Sequence, residues 1–315
     1  MRGQMHHLEL VYPPISNQEA EWVKNDPSVQ SQVANSNLYF IGQKPEAFYE
    51  FDNDVLDKII AESKIYFTYT SGGKSDRGFI NLEALLILRE LPVTSTLDIE
   101  LGEKMIRIWL EDQSQNNLLD WLTTDKILYD KSKGFNHING LDKYRDFFKY
   151  YLHYVGISKR ENSLKRLVIK PHDKRLRILS NEHPLNTSSR VTDEIVLFFF
   201  RIKSLEIMQY LNEDDFEEFG KNELEDYTKI ISDAEKAFVK IMDTNYNEVK
   251  FNDYPFSTDG LFGTSVEKHT FSIGEDIEFI TDKTTIRGAR QRYPPQREGD
   301  FIAVSKENVE LIKVD

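Results

Sequence analysis

The sequence predicts an α+β (mixed α/β) fold, and three patterns carry that reading. Strand-like and helix-like segments alternate through the first third, apolar residues at three-four spacing dominate the middle, and period-two alternation takes over from about Tyr246. The chain accordingly divides into an αβ-alternating N-terminal domain, 1–133, and a second part, 134–315, with a helical centre, a basic β-hairpin and a β-rich C-terminal region. Gly, Asn and Ser collect in "YDKSKGFNHING", 129–140, which reads as the linker between them.

In order along the chain, "NLYFIG" (38–43) is a short strand. The Asp52-Asn53-Asp54 cluster offers N-caps for a helix to about Ser63, with Val55, Leu56, Ile59 and Ile60 on one face. "KIYFTYT" is aromatic and β-branched and reads as a strand. "FINLEALLILREL" reads as a helix stopped by Pro92. "VTSTLDIEL" is read as a strand and "EKMIRIWLED" as a helix. In "LDKYRDFFKYYLHYV" the positions Leu141, Tyr144, Phe147, Phe148, Tyr151, Leu152 and Val155 follow helical spacing. "NELEDYTKIISDAEKAFVKIM" repeats that pattern. Between them, "TDEIVLFFFRIKSLEIMQYL" is apolar nearly all round after a Thr192/Asp193 cap and reads as a central helix. "LKRLVIKPHDKRLRIL", 164–179, reads as a hairpin turning at Pro171-His172-Asp173. The last quarter offers "NEVKFND", "HTFSIGEDIEFI", "FIAV" and "VELIKV" as strands.

Composition excludes several chemistries. The 315 residues contain no cysteine, which removes disulfides, thiolate metal sites and cysteine nucleophiles and fits a reducing, cytoplasmic setting. "MRGQMHHLELVYPPISNQ" lacks the apolar core of a secretory signal, and the most apolar run, "IVLFFF", is too short for a membrane helix, so no membrane partner is expected. The formal net charge is −13, yet the charge is zoned. Between Lys159 and Arg177 eight Lys/Arg stand against Glu161 and Asp173. Between Lys283 and Arg297 five stand against no acid, and between Glu213 and Asp226 eight acids face Lys221 alone.

The segment "IYFTYTSGGKSDRGF", 65–79, raises the question of a phosphate cradle. Gly73-Lys74-Ser75 matches the end of a Walker A loop, but Thr68 occupies the place of its first glycine. A strand followed by Ser71-Gly72-Gly73-Lys74-Ser75-Asp76 and a helix resembles the PP-loop of ATP pyrophosphatases and the related sulfate-reductase group, with the final Ser and Asp transposed. That resemblance, over about a dozen residues, implies ATP held by glycine N–H groups at a helix N-terminus. The plain alternative is a glycine turn into a helix capped by Ser75 or Asp76, and it is the favoured reading.

The seven histidines make no H-x-H or H-E-x-x-H pattern, so spacing does not predict zinc. A nuclease site needs two acids for Mg²⁺ and a lysine, and Glu248-Val249-Lys250 supplies an E-x-K triplet on a strand-like stretch. Glu62-Ser63-Lys64 is a second triplet. The basic zones supply phosphate-binding candidates: Lys165, Arg166, Lys170, Lys174, Arg175 and Arg177 around the hairpin, and Arg287, Arg290, Arg292 and Arg297 on a loop with Tyr293. The expectation is therefore a DNA- or RNA-binding component, a metal-dependent nuclease if Glu248 and Lys250 act. The alternatives are a nucleotide-binding enzyme using Ser71–Ser75, and an adaptor or self-associating protein using the acidic 213–226 segment.

Overall fold

The computed structural model describes residues 2–114, 117–208, 226–290 and 299–314. In chain order the strands are β1 (Arg2–Leu10), β2 (Ile15–Ser16), β3 (Leu38–Gln43), β4 (Ala47–Glu50), β5 (Lys64–Ser71), β6 (Lys74–Asn81), β7 (Leu97–Leu101), β8 (Met105–Leu110), β9 (Leu118–Thr123), β10 (Ile138–Gly140) and β11 (Lys149–Ile157). They continue with β12 (Ile195–Met208), β13 (Lys268–Ile273), β14 (Glu278–Ile280), β15 (Thr285–Arg287), β16 (Phe301–Ser305) and β17 (Val309–Ile312). Helices α1 (Asn17–Val23), α2 (Pro27–Val33), α3 (Val55–Glu62), α4 (Leu82–Leu88), α5 (Thr124–Lys133), α6 (Tyr144–Phe147), α7 (Asp173–Asn181) and α8 (Val191–Glu194) connect them, with a long helix at Tyr227–Met242. The fold is α+β.

Ten strands form one mixed sheet in the order β15-β14-β11-β3-β12-β1-β13-β16-β17, with β2 added to β12. β1 runs parallel to β13 and β11 parallel to β14, while the other pairs are antiparallel. A four-stranded sheet, β10-β6-β5-β4, and a three-stranded sheet, β7-β8-β9, complete the structure. The division at residue 133 does not describe this sheet. β3 lies between β11 and β12, and β1 between β12 and β13, so the first part of the chain supplies the centre of a sheet finished by the second. The expected linker, 129–140, instead ends α5 and forms β10.

Three stretches read as helices are strands. β12 is covered on both faces: Phe198 and Phe200 enter one core cluster, Leu197 and Phe199 the other. A strand buried on both sides shows an unbroken apolar run, which periodicity cannot separate from a buried helix. In β11 a bulge between Leu152 and Tyr154 advances the face by one residue and imitates helical spacing. Only Tyr144–Phe147 of that stretch is helical. "EKMIRIWLED" carries β8, whose Ile106 and Ile108 alternate into the core. The long helix and strands β13, β14, β16 and β17 agree with the expectation, whereas "NEVKFND" is irregular.

The basic hairpin is replaced by helix. Lys165–Ile169 forms a π-helical turn and Asp173–Asn181 forms α7, capped by His172, whose Nδ1 accepts from Arg175 N at 3.1 Å. Leu164, Leu167, Val168 and Ile178 anchor this pair to the core cluster that also holds Tyr39 and Phe199. Pro171 breaks the segment into two helical pieces rather than folding it back as strands.

Candidate functional site

The glycine stretch is a β-hairpin tip. β5 and β6 pair from Lys64↔Asn81 to Ser71↔Lys74, leaving Gly72 and Gly73 as the two-residue turn, with φ of 56° and 74°. A two-residue turn of this kind needs positive φ at both positions, which glycine supplies without strain. β6 follows the turn, so the helix N-terminus implied by the PP-loop resemblance is not there; α4 begins at Leu82 and is capped by Asn81. The Ser71 hydroxyl donates to the Pro45 carbonyl at 2.8 Å, so the hairpin tip braces the segment that carries Lys44.

Lys44 and Glu46, on either side of Pro45, belong to the wall of a cleft formed where the β3–β4 connection meets α1, the start of α5 and β8. Its inner chamber, about 100 Å³, is lined by Ser16, Glu19, Lys44, Thr124 and Asp125 among others. A wider mouth of about 440 Å³ shares Gln18, Glu46, Lys104 and Asp193 with it and adds Ser188 and Arg190. At the base, Lys44 Nζ lies 2.7 Å from Asp125 Oδ1 and 3.2 Å from the Tyr69 hydroxyl, and Tyr150 donates to Asp125 at 2.7 Å. The rings of Tyr150 and Tyr69 stand 5.3 and 5.9 Å from the ammonium. Lys44 and Asp125 are 4% and 7% exposed at their side chains, so each charge depends on the other for compensation.

Local sequence explains how each group arrives. Asp125 sits in the first turn of α5, where Thr123 caps the helix and the helix dipole favours a carboxylate. Ser16-Asn17-Gln18-Glu19 is a capping box: Ser16 Oγ accepts from Glu19 N at 3.0 Å, and the Glu19 carboxyl reaches back to the Ser16 backbone. Burial, and then the charge of Asp125, push the Glu19 carboxyl up to about 8 despite those hydrogen bonds, so Glu19 is protonated at neutral pH. At the mouth, Lys104 pairs with Glu46 and lies 3.3 Å from Asp193. Behind the cleft, Gln43 donates to Glu194 at 3.0 Å and accepts from His153 at 2.9 Å, locking the residue next to Lys44.

The residues singled out from the sequence are placed elsewhere. Glu248 is exposed and is tied to Lys174 and, at 2.8 Å, to Arg177. Those cations hold its carboxyl below the usual carboxylate range. Lys250 pairs with Asp243 at 3.1 Å. Glu248 and Lys250 lie on irregular chain instead of one strand face, so the E-x-K strand geometry required for Mg²⁺ is not formed. Glu62 and Lys64 pair with each other at 3.3 Å.

Among the described residues, several cations of the basic zones are paired or hydrogen-bonded within the chain. Lys170 pairs with Glu161, Arg175 donates to Asn17 and Leu167, Arg287 pairs with Asp300, and Arg290 lies 3.4 Å from Glu275. Lys165 and Arg166 are exposed on the π-helical turn. Arg292, Arg297 and residues 213–225 lie outside the described residues, while Asp226 caps the long helix. Among the described residues no helix is long and apolar enough to cross a membrane.

Of the cleft residues, the capping box at 16–19 and the Thr123 cap were available as sequence signals; Lys44 has none, since it is defined by what the fold sets around it. No family model, no curated protein and no solved structure matches this chain.

Proposed function

We propose that the chain binds a small dipolar ligand, one carrying both a cationic and an anionic group, in the cleft between α1 and α5, and that Glu19 exchanges a proton with it. The observation that carries this reading is the meeting of Glu19, Lys44 and Asp125, all buried, at the base of a chamber whose mouth presents charges of both signs: Lys104 and Arg190 beside Glu46 and Asp193. Concave sites with a few convergent polar groups and perturbed acids are the usual setting for ligand binding and proton transfer. The Lys44–Asp125 pair supplies a fixed dipole that needs no reorganisation when a ligand arrives. Glu19 is the proton donor at neutral pH.

The test is a thermal-shift series with the free amino acids one at a time as zwitterionic probes and inorganic phosphate as a purely anionic one. At least one zwitterion should raise the melting temperature, and Arg190→Ala at the mouth and Lys44→Met at the base should each abolish the rise. Identical responses in wild type and both variants would refute the reading.

A second reading keeps nucleic acid as the partner, because Lys165, Arg166, Lys170, Lys174, Arg175 and Arg177 fall on two consecutive helical pieces, the π-helical turn and α7, and the connection between them. Fluorescence anisotropy with labelled DNA and RNA across a salt series tests it. Steeply salt-dependent binding lost in Lys165→Glu/Arg166→Glu would favour it, and no binding at low salt would remove it.

A further inference from the structure

A second buried polar cluster lies beside α5, and none of its residues lines the cleft. Asp120 comes from β9, Asp130 from the second turn of α5, and His137 from the connection leading into β10. One ligand atom of each lies within 4.8 Å of the others, and the three residues are each about 2% exposed. His137 Nε2 is 4.0 Å from Asp130 Oδ2. Neither ring nitrogen of His137 has a hydrogen-bond partner, nor does Asp120 Oδ1 in hydrogen-bonding geometry.

That last observation is what a salt-bridge network leaves unexplained. Buried polar atoms are almost always satisfied, and a sealed imidazole with two idle nitrogens calls for an occupant. Lys126 Nζ lies 3.0 Å from Asp120 and 2.5 Å from Asp130, and Arg89 approaches Asp120 at 3.4 Å, so the carboxylates already attract cations. The lysine balances charge but offers nothing to His137.

We infer that Asp120, Asp130 and His137 form a binding site for a first-row divalent cation, with Zn²⁺ and Mn²⁺ the best matched. Two carboxylates and one imidazole, without sulfur, are a donor set of intermediate hardness suited to these ions. Three ligands leave a further coordination position for water or a substrate atom. The ligands ride on a strand, a helix and a tight connection, which holds their geometry. The Lys126 ammonium is the competing cation and moves outwards when the metal enters; its side chain is 14% exposed, so it has a route to solvent.

Isothermal titration of the chelator-stripped full chain with Zn²⁺ and, separately, Mn²⁺ tests the inference. The wild type should bind one equivalent. His137→Phe, which keeps an aromatic ring but removes both nitrogens, should weaken binding at least 10-fold while circular dichroism shows it folded, and Lys126→Met should tighten it about 10-fold by removing the competitor. Electron spin-echo spectroscopy of the Mn²⁺-loaded protein should show coupling to a histidine nitrogen that His137→Phe removes. No binding in the wild type, binding only after Lys126 is removed, or binding indifferent to His137→Phe would each overturn it. None of these readouts depends on the cleft ligand, so the two proposals fail separately.

Discussion

Along β12, Phe198 packs edge-to-face on Tyr150 at 4.8 Å and on Phe279 at 5.0 Å, and Phe200 meets Phe40 at 5.0 Å, with Phe238 of the long helix closing the same cluster. Around α5, at the same depth, the chain instead buries Lys44, Asp125, Asp120, Asp130, His137 and Glu19. Tyr150 joins the two: its ring belongs to the aromatic cluster and its hydroxyl to Asp125. The aromatic region gains from burial and from ring geometry, independently of pH and salt. The polar region must recover the cost of desolvating charges through pairing, and replacing such pairs by apolar residues is often neutral or stabilising. A fold that needed only stability would extend the aromatic cluster. The proposed cleft ligand and metal site would account for that contrast around α5.

The sharpest way to break the comparison is to remove one partner of the polar region. Asp125→Asn strands the Lys44 ammonium and weakens the Tyr150 hydrogen bond, and should cost up to about 5 kcal/mol in chemical denaturation. The double variant Lys44→Met/Asp125→Leu should recover most of that loss, because no charge is left unpaired. A double variant no better than the single one would mean that the pair stabilises the fold outright.

Next comes Phe198→Ala in the aromatic region, expected to cost about 4 kcal/mol by lost burial and the cavity left behind. Its penalty should be the same at pH 5 and pH 9. A strongly pH-dependent penalty would show that the aromatic and polar regions unfold as one coupled unit through Tyr150.

How much of this was legible in the sequence differs between the two regions. The aromatic core was visible as material, since "IVLFFF" and "FFKYYL" announce burial, but the element type was misjudged because both faces of β12 are covered and a bulge shifts the buried face of β11. The α3 helix, β5 and the long helix formed as read, although α3 buries only Val55 of its expected face and leaves Leu56 and Ile60 exposed. The polar region was almost invisible. Asp120, Lys126 and Asp130 look like ordinary surface charges until β9, α5 and β10 enclose them, and His137 lies in what reads as a linker. The basic zones drew attention where charge was dense in sequence, whereas the fold pairs those charges with Glu161 inside the first zone, with Glu275 and Asp300 flanking the second, and with Glu248, which is distant along the chain.

Glu19 refines the comparison, because its proton is a direct report of desolvation. Its carboxyl stands near the ordinary 4.5 in the unfolded chain and at about 8 in the fold. Below pH 4.5 both states hold the proton and the residue is neutral to stability. As pH rises towards 8 the unfolded chain releases the proton while the folded one keeps it, so stability falls through that window and levels off above it. Glu19→Gln retains the capping geometry without the titration. The wild type should therefore lose on the order of 3–4 kcal/mol relative to Glu19→Gln between pH 4.5 and pH 9, read from denaturation midpoints. A pH-independent difference would show that water reaches the carboxyl and that the cleft base is wet.

The smallest effect separates the cleft from the glycine turn that braces it. Gly73 has φ of 74° and no atom within 4 Å of where a Cβ would stand, so a side chain there meets backbone strain alone. Aspartate tolerates the left-handed region better than most residues, and Gly73→Asp should cost about 1 kcal/mol. Gly72 is different, since its added Cβ would press on Pro45 at 3.2 Å and through it on the Lys44 segment. If the turn is only structural, Gly73→Asp leaves both the zwitterion-induced thermal shift and any ATP titration heat unchanged, while Gly72→Ala, strained at its own φ of 56° and pressed against Pro45, disturbs the cleft together with the turn. If ATP heat is present in the wild type and vanishes in Gly73→Asp, the backbone N–H groups of the hairpin tip do hold phosphate, and the turn becomes a second ligand site adjoining the cleft instead of its buttress.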